Sequence, residues 1–285
     1  MGFLKNLLNP FGDNNDKKEY KDISKESQRV TPNPPSELLL YCRDIAGEQI
    51  QTRMGLLNDC RWIRAEYTYP AFDSMCFIYK NTVFSVIIDI QDEEGTSYIP
   101  EEFIKRQLYA ARTYNLIPCK FSVVVPHPQE PDLKEVKPKT DGWNLFNTET
   151  GEEIVPEHSA TEEKVKISDW EIRNLSIRFV MKYLQAKKLH ILSFQDTLEV
   201  DPQIWFQDKD GRKCWLIIRS ALAPEKEVKK PEKLKEIIRR CFKNDGYYAG
   251  VILAPLNDDE NDINLYRNGN VKINFVNFEK VHSTL

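Results

Sequence analysis

The 285-residue chain contains no apolar run near the roughly 20 residues that a bilayer span requires. Its opening stretch, Met1 to Leu8, is too short and too interrupted to read as a secretory signal, so a cytoplasmic protein is expected. Histidine is scarce: there are four, and His127 and His158 fall in linker-like sequence. That is a poor supply for a histidine-based metal site or a Ser-His-Asp arrangement. The six cysteines stand at 42, 60, 76, 119, 214 and 241 and form no C-x-x-C pair. Cys76, Cys119, Cys214 and Cys241 lie within apolar segments, where reduced, buried thiols are expected in place of a disulfide or zinc framework. No glycine-rich phosphate loop is present, so nucleotide binding has no support. Neither sign of charge dominates. A net charge of −4 gives no overall footprint for nucleic acid or an anionic membrane, although the arrangement of forty Lys and Arg leaves room for a local basic patch.

What is present reads as globular: 41% apolar and 29% charged residues, in a chain long enough for two cores. Residues 1–11 read as a short amphipathic arm. Phe3, Leu4, Leu7 and Leu8 fall on one helical stripe, and Pro10 stops it. Residues 12–35, with Asp13-Asn14-Asn15-Asp16 and the Pro32-Asn33-Pro34-Pro35 cluster, read as a disordered linker. The stripe is the candidate partner-binding element, for a protein or for weak peripheral contact with a membrane surface.

From residue 36 onward the same order of elements is expected twice: helix, three strands, helix, strand, hairpin. The first copy spans 36–156, a charged joint spans 157–167, and the second copy spans 168–285. Ser36-Glu37-Leu38-Leu39 and Ser168-Asp169-Trp170-Glu171 each supply an N-cap before an apolar-periodic stretch. Asp73 to Tyr79 lies over Asp201 to Gln207. Val83 to Ile88 lies over Lys213 to Ile218, and both runs are apolar on both faces, as central strands are. Pro100 and Pro231 are placed at the first helical position, and Asn115 and Gly246 near the helix ends. Phe121 to Pro126 and Ala249 to Pro255 follow as strands. Hairpins are expected around Thr150-Gly151 and Asn268-Gly269, and Phe275 to Phe278 reads as a last strand or tail. The fold class is therefore α/β (α+β), a tandem duplication with helices packed on mixed sheets.

This order of elements resembles the core of the PD-(D/E)xK nuclease superfamily over about 36–126 and again 169–255. The resemblance implies an Asp on the second strand and an acid on the third, together holding a divalent metal, with a Lys two residues further on that positions water. Two hard carboxylates side by side suit Mg²⁺, which activates water and stabilises a pentacovalent phosphate. In the first copy Asp73 and Asp89 take the acid roles and Gln91 stands in the lysine position. Asp89 is expected at the end of its strand, where the chain emerges into solvent. In the second copy Asp201 matches, but Arg219 occupies the place of Asp89, so the set is not assembled there. The order is also similar to type III secretion chaperone-like domains, which implies a non-enzymatic module that binds extended segments of other proteins. The acid runs Asp92-Glu93-Glu94 and Asp258-Asp259-Glu260 and the lysine-rich stretch Lys226 to Lys235 read as solvated surface.

The expectation is a non-enzymatic protein that binds another protein and needs no cofactor. The alternative is a Mg²⁺-dependent nuclease with one site in the first copy.

Overall fold

The computed structural model describes residues 36–65, 74–198, 200–241, 243–256 and 263–281. The arm with Phe3, Leu4, Leu7 and Leu8, the linker, Asp73 and the acid run 258–260 lie outside the described residues. The chain divides into two compact units, one ending at Glu163 and the other beginning at Lys164. Each is a mixed sheet with helices packed on it. Among the described residues no helix is long and apolar enough to cross a membrane.

In the first unit, α1 (Glu37–Met54) starts where Ser36 caps it, the Ser36 hydroxyl accepting from the Leu39 amide. Leu38, Cys42, Ala46, Ile50 and Met54 recur every fourth residue and bury one stripe. The stripe covers one face of a sheet made of β1 (Cys60–Arg64), β2 (Met75–Tyr79), β3 (Thr82–Gln91), β4 (Leu116–Val124), β5 (Lys137–Pro138) and β6 (Leu145–Asn147). Strands β1, β2 and β3 form an antiparallel meander, and β3 runs parallel to β4. A parallel neighbour requires a crossover. It is supplied by α2 (Glu101–Tyr114), which ends at Asn115 in the left-handed conformation (φ 53°). Phe84, Val86, Ile88 and Ile90 join the α1 core, so alternation turns Val83, Ile87, Asp89 and Gln91 to the opposite face. Phe77 is stacked between Phe84 and Trp143, at centroid distances of 4.9 and 5.7 Å. Gln107 of α2 is buried and donates to the carbonyls of both Ser85 and Cys119, one on β3 and one on β4. The short helix α3 (Pro156–Ser159) follows β6.

In the second unit the first helix and the first four strands follow the same order as in the first. Its α4 (Asp169–Ala186) opens with a capping box between Ser168 and Glu171. Ile177, Val180 and Leu184 pack on a sheet ordered β11-β10-β9-β8-β7, with β7 (His190–Phe194), β8 (Ile204–Gln207), β9 (Lys213–Leu222), β10 (Asp245–Pro255) and β11 (Val271–Val281). Again the first three strands are antiparallel and the third is parallel to the fourth. The crossover helix α5 (Leu234–Arg240) puts Ile237 against Trp215, Ile217 and Tyr248 on the far face. On the outer strand a bulge leaves Val276 opposite no partner, a feature that discourages addition of a foreign strand.

Several sequence expectations differ from the structure. Pro100 is the N-cap, one residue before the helix, because its ψ of 132° is extended. Pro231 precedes α5 by a turn, with the Leu234 amide donating to the Pro231 carbonyl. Gly246 does not end a helix. It lies in β10, and a Cβ there would come within 2.2 Å of the Trp215 indole, so its use is close approach. The Asn268-Gly269 turn does not join a hairpin of neighbouring strands. Tyr266 pairs with Lys166, which precedes α4, and the chain leaving the turn becomes β11 on β10. The alignment of Asp73–Tyr79 with Asp201–Gln207 is out by one. The pairs Phe77 with Phe84 and Phe206 with Cys214 both face the first helix of their unit, so Met75 corresponds to Ile204. A slip of one would turn every side chain of the strand to the other face.

Candidate functional site

Asp89 lies within β3, not at its end, and is 0% exposed. The strand end is covered by the chain that follows it. After Gln91 the chain turns back, Asp92 accepting from the amides of Glu94 and Thr96, so that Ser97 bridges to Gln91 and the Tyr98 amide donates to the Ile90 carbonyl. This return lays Ser97 over the carboxylate. The Ser97 hydroxyl donates to Oδ1 at 2.6 Å, and the Gln91 amide nitrogen donates to Oδ2 at 2.7 Å. The Ser122 hydroxyl reaches Oδ2 at 3.5 Å from the adjacent parallel strand. The Lys120 ammonium stands 3.8 Å from the same oxygen.

Gln91 is held in turn. Its Oε1 accepts from the Lys139 ammonium at 3.1 Å, and that ammonium lies over the Phe146 ring. Asn144, fully buried, donates to the Ser122 carbonyl at 2.6 Å. The predicted Asp89 and Gln91 are thus brought together on one face by their i, i+2 spacing, with Asp73 outside the described residues. Among those residues no group of three His, Cys, Asp or Glu side chains is arranged to hold a metal. Sequence reasoning missed Lys120, Ser122, Ser97 and Lys139. Lys120 left a trace: it is a lone charge between Cys119 and Phe121 in an apolar strand. Ser97 and Lys139 arrive from loops, which periodicity does not read.

The equivalent position of the second unit carries the opposite charge. Counting along β9 from Cys214, which corresponds to Phe84, places Arg219 where β3 has Asp89. Arg219 grips Asp201 with two parallel hydrogen bonds, Nη1 to Oδ1 at 2.9 Å and Nη2 to Oδ2 at 2.6 Å. Gln203 adds a third bond to Oδ1 at 2.5 Å. Burial acts against the charged form of Asp201, but the bonds and charge of Arg219, with help from Gln203 and Arg173, outweigh it and hold the carboxyl below its ordinary range.

A depressed folded-state value means stabilisation that is fully present above the unfolded value near ~3.9 and is lost as pH falls through the folded value. Arg219→Met is therefore expected to lower stability most near neutral pH. The gap between it and the parent protein should close as pH falls below about 4. Urea titrations at stepped pH read this directly. A gap independent of pH would mean that Asp201 does not carry the effect.

All six cysteines are free thiols, and burial pushes Cys42 up to about 12 and Cys119 higher still.

Comparison with known proteins reaches part of the chain. Residues 170–281, from the first turn of α4 to the end of β11, match a family described as a domain of unknown function, DUF8840. No curated protein and no solved structure matches.

Proposed function

We propose that the protein is a binding module that carries out no reaction of its own. The observation that carries this reading is the state of the third-strand position in both units. In the first, both oxygens of Asp89 accept hydrogen bonds from neighbouring side chains, and a lysine stands beside them. The carboxylate is sealed from solvent, so a metal ion could reach it only if Ser97 or another covering side chain moved aside. In the second, a guanidinium fills the place of the acid and is itself neutralised by Asp201. A carboxylate enclosed in this way suits a structural polar network better than a catalytic one, because a catalytic metal must reach its ligand and still keep a coordination position open to water.

The proposal includes common descent of the two units. It is supported by the same order and directions of the first four strands in both sheets, each preceded by a capped helix and each with a helical crossover between its third and fourth strands. It also keeps a protein as the partner of the arm stripe Phe3, Leu4, Leu7 and Leu8.

The rival reading, a metal-dependent nuclease, has one point in its favour: Asp89 and Gln91 share a face at the spacing that chemistry uses. The two readings separate in one assay. Full-length protein and Asp89→Ala are incubated with plasmid DNA and with RNA in Mg²⁺ and in Mn²⁺. No cleavage above buffer is expected from either protein. Metal-dependent cleavage by the parent that disappears in Asp89→Ala would overturn the binding-module reading.

A further inference from the structure

Overall charge hides a local asymmetry in the second unit. Between 226 and 240 the chain carries Lys226, Lys229, Lys233, Lys235, Arg239 and Arg240, all exposed. Among the described residues none of these six has an ion-pair partner, although Glu227, Glu232 and Glu236 are interspersed with them. A seventh cation, Lys230, pairs with Glu279 on β11.

The apolar residues of the same stretch turn inward and fix it to the sheet. Ile237 is buried against Trp215, Ile217 and Tyr248, with Leu234, Ile238 and Cys241 packed beside it. Val228 packs on the backbone of Gly250, and its carbonyl accepts from the Tyr248 hydroxyl at 3.1 Å. The cations are therefore displayed from an anchored segment, and what faces outward is charge alone. Between 224 and 241 no large apolar side chain is exposed.

That composition selects among partners. A protein interface needs an apolar or aromatic centre and is depleted in lysine. Charge alone holds a protein to an anionic membrane only weakly, and a stable membrane-surface element adds an apolar face that inserts among the acyl chains. Neither is present here. A nucleic acid asks for neither, since its phosphates form a dense row of charge that releases counterions when lysines and arginines approach. We propose that this strip binds the phosphate backbone of a nucleic acid without reading its sequence. The proposal goes beyond the binding-module reading and does not require the site around Asp89.

The test uses the full chain in EDTA, so that cleavage plays no part, with fluorescein-labelled duplex DNA of about 30 base pairs and single-stranded RNA of similar length as probes. Binding by anisotropy is expected in the micromolar range at about 50 mM salt. It should weaken about 100-fold by about 200 mM if about four phosphates are contacted. Lys226→Glu, Lys229→Glu, Lys233→Glu and Arg239→Glu combined should cost at least about 30-fold. The combination Lys134→Glu, Lys137→Glu, Lys182→Glu and Lys209→Glu, also at exposed positions, makes the same change in net charge and should cost less than about threefold. Thermal melting of both variants verifies folding.

Three results overturn the proposal: no binding of either probe at about 100 µM protein, equal losses in the two charge-reversed variants, or binding to phosphatidylserine vesicles without binding to nucleic acid. Each would leave the absence of catalysis at Asp89 untouched, whereas cleavage in Mg²⁺ would sink that reading and leave the strip in place.

Discussion

Arg267→Met is expected to lower the stability of the second unit by about 3–5 kcal/mol. Arg267 and Glu171 are nearly sealed from solvent, their side chains 2% and 6% exposed. The guanidinium bonds both carboxylate oxygens, Nε to Oε1 at 3.0 Å and Nη2 to Oε2 at 2.9 Å. The pair is distant in sequence and joins the first turn of α4 to the turn that leads into β11. Removing the cation strands a buried carboxylate, and that orphan is what costs, more than the bond itself. The double variant Arg267→Met with Glu171→Gln should therefore recover at least half of the loss. The glutamine also keeps an acceptor for the Ser168 amide and hydroxyl, so the cap of α4 survives. Urea unfolding of the parent, the single and the double variant measures the coupling. A single variant within about 1 kcal/mol of the parent would show that water reaches the pair.

Asp89→Ala is expected to cost about 3 kcal/mol, because Gln91, Ser97 and Ser122 lose an acceptor in a buried place and the half-buried Lys120 loses its counter-charge. Asp89→Asn keeps one acceptor oxygen, and the Ser97 hydroxyl can rotate to accept from the new amide, so about 1–2 kcal/mol is expected. The loss should be local as well as global. Ser97 is tied to the carboxylate, so amides from 92 to 99 should exchange faster with solvent in the alanine variant. Urea titration and amide exchange read the two effects. The outcome also bears on function. Residues kept for chemistry are commonly a burden on stability, and their removal is neutral or stabilising. An Asp89→Ala protein as stable as the parent would mark the carboxylate as kept for a reaction, and the nuclease reading would revive.

The parts of this fold legible in the sequence are those with a local physical cause. Ser36 and Ser168 announce their helices because a short hydroxyl satisfies amides that the first turn leaves open. The β3 and β9 runs announce central strands because both faces must be apolar when helices cover both. Asn115 marks a helix end through its tolerance of the left-handed conformation. What escaped depends on distant partners. Asp89 reads as a strand end only if nothing returns to cover it, and Ser97 and Lys120 do so from other elements. The Asn268-Gly269 turn has hairpin chemistry, but the partner of Tyr266 is Lys166, a hundred residues earlier, which no turn signal can name. Two aspartates before two apolar runs invite alignment of Asp73 with Asp201 by identity, one residue out of step with the strands. Side-chain facing, which fixes the true correspondence, shows only once the strands are paired.

Gln107 has a consequence for how the first unit moves. Its single amide group holds carbonyls of two neighbouring parallel strands, and its own oxygen accepts from Thr148 beyond β6. Any parting of β3 from β4 breaks the same fastening that seats α2. Loosening of the helix and splitting of the sheet are then one event, and the segment from β3 through β4 opens as a block or stays shut.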